Sequence, residues 1–172
     1  MKHTIAVLVE NKSGVLARVS GLFARRGFNI HSLAVGTTET PSISRMTIVV
    51  DLPTKPLEHV TKQLNKLVNV IKVIELEQGS AIERELLMVK VRAAAGVRAQ
   101  VIELCEVFRA KIVDVAKEAL TIEVTGSPDK LQAFEDLVAE YGIIELVKTG
   151  RIALARGARG IRDRDRALRV AG

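Results

Sequence analysis

Up to residue 155 the chain runs twice through one order of apolar patterns, strand, helix, strand, strand, helix, strand, each round taking fewer than eighty residues. Few folds accept that order. A helix between two strands has to cross over one face of a sheet, and two strands in direct succession have to turn back as a hairpin. In the first round Ile5 to Val9 is a continuous apolar run of strand length. Val15, Val19, Leu22 and Phe23 then share one helical face before Arg25, Arg26 and Gly27 close the helix. Phe28 to Val35 and Ser44 to Leu52 read as strands joined through the turn-rich residues 36–42, a hairpin with a long connection. After Pro53 and Pro56, Leu57, Val60, Leu64 and Leu67 recur at helical spacing, and Val70 to Leu76 forms the last strand. The result is βαββαβ, a ferredoxin-like split unit of the α+β class.

The second round follows the same plan. Leu86 to Val91 is a strand, Val97, Val101, Leu104 and Phe108 mark a helix, and Ile112 to Val115 with Leu120 to Val124 form a hairpin. Leu131, Phe134, Leu137 and Val138 mark a second helix, and Ile143 to Val147 closes the set. Gly14, Val15, Ala17, Val19, Leu22 and Ile30 recur as Gly96, Val97, Ala99, Val101, Leu104 and Ile112, a constant offset of 82. A duplication explains this echo, and so does a shared apolar helix pattern. With 172 residues and 48% hydrophobic content, the chain is expected to fold as two small tandem domains, 1–77 and 82–155, with a linker at 78–81 and a basic tail at 156–172.

The net charge of +6 is unevenly spread. Ten basic residues face six acidic ones in 1–77, nine face twelve in 78–150, and seven face two in 151–172. The tail arginines lie among Gly, Ala and Asp with almost no aromatic residues, so they read as a solvated or partner-docking segment and no nucleic-acid partner is expected. No stretch of eighteen apolar residues suggests a membrane span, and the start Met-Lys-His-Thr-Ile runs straight into a strand. The expected location is cytoplasmic. The single cysteine, Cys105, shares a helical face with Val101, Leu104 and Phe108 and reads as a buried core thiol.

The stretch with most chemistry is Glu10-Asn11-Lys12-Ser13-Gly14-Val15-Leu16, a polar turn between strand and helix. Asn-x-Ser-Gly is ordinary capping sequence, and it also sets backbone N–H groups and an amide side chain at a helix N-terminus, where a carboxylate can be held. The N–H groups of Gly14, Val15 and Leu16 suit a carboxylate, and amide or backbone oxygens near Asn11 and Asn29 suit an ammonium. Gly14, lacking a Cβ, permits close approach of a ligand to the backbone. The second strand is expected beside and parallel to the first, so that Asn11 and Asn29 reach one ligand at the sheet edge once a second copy closes the site. The second half lacks this pair, since Asn11 becomes Ala93 and Asn29 becomes Lys111 at the same offset.

The segment from Glu10 to Leu33, with Ser44-Arg-Met-Thr-Ile48 behind it, resembles the amino-terminal ACT domain of the small, regulatory subunit of acetolactate synthase. The similarity continues through Gln63-Leu-Asn-Lys-Leu-Val68, Glu83-Arg-Glu-Leu-Leu-Met-Val-Lys90 and Gly126, and spans residues 1–155. The resemblance implies a chain with no catalytic residues of its own that forms homodimers through its ACT sheets. It implies L-valine between two chains, with Asn11, Gly14 and Asn29 at effector-sensitive positions and Val15, Leu16 and Ile30 beside them. It also implies a large catalytic subunit as partner, carrying thiamine diphosphate, Mg and FAD, and feedback control of branched-chain amino acid synthesis. Ser13 stands where some relatives have proline.

Two other readings compete with this one. For a free-standing enzyme, His3, His31 and His59 are widely separated, no His-x-x-x-His or Cys-x-x-Cys spacing occurs, and no metal ligand set is assigned. Each histidine reads better as structure or surface; His31 follows Asn29 and Ile30 on a strand and could face the ligand or a neighbouring subunit, alternation leaving its face open, and Glu83 and Glu85 read as strand-entry charge. A free-standing ACT-domain sensor acting on another enzyme or on transcription is the alternative; as a transcription sensor it would need a DNA-reading element, and no helix-turn-helix pattern is present.

Overall fold

The computed structural model describes residues 2–51, 57–77, 79–158 and 160–162. The chain divides into two compact units, Met1–Ile82 with Arg151–Gly172, and Glu83–Gly150. Among the described residues no helix is long and apolar enough to cross a membrane.

The first unit contains β1 (Lys2–Glu10), α1 (Val15–Arg25), β2 (Asn29–Thr37), β3 (Ile43–Asp51), α2 (Leu57–Leu64) and β4 (Val70–Leu76). Its four-stranded sheet has the order β2-β3-β1-β4, with each neighbouring pair antiparallel. α1 buries Val15, Val19, Leu22 and Phe23 against Ile5, Val7, Val9, Met46, Ile48 and Val50 of the sheet. Each such side chain contributes about 1.5–3 kcal/mol relative to leaving it in water. α2 adds Val60 and Leu64 to the same core. Leu67 lies beyond the end of α2 but still packs on that core.

One expectation is overturned. β2 does not lie beside β1, because β3 stands between them. The burial pattern explains the order. β1 and β3 are buried along nearly their whole length, as strands flanked on both sides are, whereas β2 is mostly half-buried or exposed and takes the edge. The register carries the consequence for the site. Glu10 pairs with Ile43, and Asn29 pairs with Asp51, so the two asparagines stand at opposite ends of β3. Eight strand residues at about 3.4 Å each separate the levels of Glu10 and Asn29 by about 27 Å along the sheet, and Asn11 lies one residue beyond Glu10.

The second unit contains most of β5 (Ala81–Arg92), then α3 (Arg98–Phe108), β6 (Lys111–Val115), β7 (Ala119–Gly126), α4 (Pro128–Ala139) and β8 (Ile143–Lys148). Its strand order, β6-β7-β5-β8, is that of the first unit. Its core is a separate cluster that includes Leu87, Val89, Leu120, Ile122, Phe134 and Val138. Cys105 is buried in it, and burial, followed by the nearby Glu106, pushes its thiol pKa up. Ser127 caps α4 through a bond from the Lys130 N–H, with Pro128 opening the helix.

The offset of 82 reappears in backbone irregularities that an apolar pattern does not dictate. The pairing of β2 with β3 slips between Ile30 and Ser32, and that of β6 with β7 slips between Ile112 and Asp114. The pairing of β1 with β4 slips at Leu8/Val9, and that of β5 with β8 slips at Lys90/Val91. Both first helices end in the same double-bonded C-terminal motif. Phe28 N–H donates to Phe23 and Gly27 N–H to Ala24, matched by Ala110 to Cys105 and Arg109 to Glu106. The residue in the left-handed region is Gly27 in one case (φ 68°) and Arg109 in the other (φ 53°). A side chain at that φ is strained, so Arg109→Gly is expected to stabilise the second unit by about 0.5–1 kcal/mol, read as a higher urea midpoint. A midpoint at or below that of the parent would contradict it.

The chain after the second unit behaves differently from its sequence pattern. β9 (Ile152–Ala155), whose residues the sequence reading includes in 82–155 without assigning them a strand, groups with the first unit, and Ile161 packs there against a small cluster that includes Ala6, Ile74 and Ala153. The Arg156 N–H donates to the Ser80 carbonyl. The rest of the basic tail, residue 159 and residues 163–172, lies outside the described residues.

Candidate functional site

The turn between β1 and α1 is held by four polar residues. The Glu10 N–H donates to the Asn69 carbonyl, and Asn69 Nδ2 returns a bond of 2.6 Å to Glu10 Oε2. Lys12 Nζ lies 3.2 Å from the same oxygen, and Arg18 Nη1 donates to Asn69 Oδ1 at 2.7 Å. The bond from Asn69, then Lys12, holds the Glu10 carboxyl below the usual carboxylate range. Sequence reasoning did not find Asn69. It is adjacent only in space, and nothing in its neighbourhood along the chain marks it.

Asn11 docks this turn onto the β2–β3 loop. Its N–H donates to the Ser42 carbonyl at 2.8 Å and its Nδ2 to the Pro41 carbonyl at 2.9 Å. The amide donor therefore has a structural task, which leaves Oδ1 as the acceptor suited to an ammonium. Gly14 adopts φ 82°, and a Cβ built there would meet nothing within 4 Å. The left-handed backbone here favours glycine, a reason the sequence reading lacked. No side chain caps α1 and its first turn holds no acidic residue, so the positive end of the helix dipole is uncompensated. The Val15 N–H reaches the Lys12 carbonyl at 3.4 Å, so of the three N–H groups assigned to a carboxylate it is partly engaged.

The six predicted residues are not gathered into one place by a single chain. Asn11, Gly14, Val15 and Leu16 cluster at one end of the sheet, with Val15 buried in the core and Leu16 44% exposed. Asn29 and Ile30 lie at the other end, Asn29 exposed and Ile30 packed against the core. His31, the bulged residue of β2, accepts a bond from Lys2 Nζ at 3.0 Å. His3 pairs with Glu75. Among the described residues no group of three or more His, Cys, Asp or Glu side chains is placed to hold a metal.

The equivalent turn of the second unit is filled by its own chain. Ala93 is fully buried, and its N–H donates to the Glu118 carbonyl. Arg98 donates through Nε and Nη2 to the Ala93 carbonyl and through Nη2 to those of Ala116 and Lys117 at 2.6 Å. Gly96 is absent from the left-handed region that Gly14 occupies.

This βαββαβ unit, with the strand order β2-β3-β1-β4, is an ACT-type domain: residues 5–72 match the model of the AHAS small subunit-like ACT domain. Residues 84–157 match the small subunit of acetolactate synthase. The chain belongs to the acetolactate synthase small-subunit family. It is 58% identical over 159 residues to the acetolactate synthase small subunit of Mycolicibacterium smegmatis, covering 92% of this chain and 94% of that one. It is 59% identical over 157 residues to the probable acetolactate synthase small subunit of Archaeoglobus fulgidus, covering 91% and 98%. The crystal structure of the acetolactate synthase small subunit from Thermotoga maritima superposes with a TM-score of 0.85 at 40% identity, covering 92% of this chain and 99% of that one.

Proposed function

We propose that this chain binds a branched-chain amino acid, L-valine first, between the ACT domains of two copies, and so adjusts a thiamine-diphosphate-dependent catalytic subunit. The catalytic partner carries the thiamine diphosphate, Mg and FAD and condenses pyruvate with a second 2-keto acid. The present chain supplies sensing and activation from the cytoplasm. The observation that supports this reading most is the register of the first sheet. Asn11 and Gly14 stand at one end and Asn29 at the other, and β2 is an exposed edge. When two β2 edges pair antiparallel about a two-fold axis, the start of one β2 lies beside the end of the other. That operation brings Asn29 of one copy to the sheet end that carries Asn11 and Gly14 of its mate, so two chains supply the ligand groups that one chain holds apart. By linkage, the effector inhibits only to the extent that it prefers the less active arrangement of the holoenzyme, typically by about 1–3 kcal/mol.

Mixed dimers test this reading. Asn11→Ala and Asn29→Ala homodimers are each expected to bind valine weakly at both sites. In a mixed dimer one site carries both substitutions and the other carries neither, so half of the sites should recover the parental affinity in a calorimetric titration. No recovery would mean that both asparagines act within one chain or at separate ligands, and the two-chain site would be withdrawn.

A further inference from the structure

The face of the first sheet opposite α1 and α2 is covered in part by the returning chain. Ala6, Ile74, Leu76, Ala81 and Ala153 are buried there together, with Ala155 and Ile161 packed against them. Next to this cover lies a cavity of about 470 Å³, within the size range of small-molecule sites, about 300–1,000 Å³. Leu8, Leu154 and Ile161 give it an apolar lining, and Arg45, Arg162 and Glu39 contribute its charges.

Arg45 is the unusual member. It pairs across β3 with Leu8 on one side and Gly36 on the other, so all three positions share a face. Gly36 has open space where a Cβ would stand. Arg45 Nη2 donates to the Ala153 carbonyl at 2.7 Å. A guanidinium carries five N–H donors, and among the described residues no carboxylate is in ion-pair contact with this one. Burial alone lowers its pKa, which marks a cation partly withdrawn from water without a countercharge. The fork geometry of arginine suits a carboxylate.

We propose that this cavity is a second small-molecule site, separate from the β1–α1 turn, that takes a short aliphatic carboxylate with its charged end on Arg45 and its alkyl body on Leu8, Leu154 and Ile161. Arg162 stands as a further donor to the same charged end. Glu39 is the group that distinguishes an amino acid, whose ammonium it attracts, from the corresponding oxo acid.

The test is a methyl-resolved NMR titration of the full chain with L-leucine and, separately, with 4-methyl-2-oxopentanoate. Saturable shifts are expected at the methyl groups of Leu8, Leu154 and Ile161 with at least one probe. Tighter binding of leucine assigns a role to Glu39, and equal or tighter binding of the oxo acid shows that the carboxylate and alkyl body suffice. Arg45→Gln, which keeps an amide donor for the Ala153 carbonyl, is expected to weaken that binding at least about tenfold. Leu154→Glu sets a negative charge at the site from a position that is 62% exposed, and the same loss is expected without harm to the fold. No shift at these methyls with either probe, shifts confined to Val15 and Leu16, or parental affinity in a folded variant of either kind would overturn the proposal.

Discussion

Gly14→Asp is expected to give no detectable heat with L-valine at concentrations about a hundredfold above those that saturate the parent chain, a loss of at least about 2.7 kcal/mol. Two effects act at this position. The backbone holds φ 82°, which an L side chain adopts at a cost of about 1–2 kcal/mol, although Asp tolerates it better than most residues. The new carboxylate also stands at the uncapped N-terminus of α1, where it takes the favourable field that the ligand carboxylate would otherwise use. Gly14→Ala separates the two, since it carries the backbone strain without the charge. It should lose stability to a similar degree and retain measurable binding. A circular-dichroism spectrum like that of the parent is expected for both variants. Unchanged valine affinity in Gly14→Asp would remove the turn from the effector site.

Phe134→Ala is expected to destabilise the second unit by about 3–5 kcal/mol, the largest effect on stability foreseen for a single change in this chain. Aromatic residues make up only 3% of the sequence, so little else can fill the volume it leaves. Phe134 is fully buried and meets Phe108 edge to face, with ring centroids 5.3 Å apart. The measurement has a built-in reporter. Tyr141 is the single tyrosine in a chain without tryptophan, and it packs against the core that contains Phe134. Its fluorescence in a urea titration therefore follows this unit, and a loss below about 1 kcal/mol would show that the core closes around the gap.

Much of the fold was legible in the sequence because its elements are written in local periodicity. The apolar runs of β1 and β3 and the helical faces of α1 and α4 depend on burial patterns that repeat every two or 3.6 residues. What was missed depends on partners remote along the chain. That β3 rather than β2 neighbours β1 is a matter of which strand is buried on both sides, and the two share similar local composition. Asn69 and Arg98 act through carbonyls and amides brought near by folding. β9 is a four-residue strand whose unit is decided by what it covers. The candidate turn was legible in type, polar residues and a glycine before a helix, but the separation of Asn11 from Asn29 emerged only from the strand register.

That separation makes the proposed sensor answer to its own abundance. With the proposed two-chain site, a lone chain holds its ligand groups at opposite ends of the sheet and would be deaf, and each bound effector would double as a rivet between subunits. At low expression the response would fall with the square of the subunit concentration, so a cell making little of this protein would lose feedback before it lost the protein. Raising the effector would then draw subunits together, and the signal would help to assemble its own receiver.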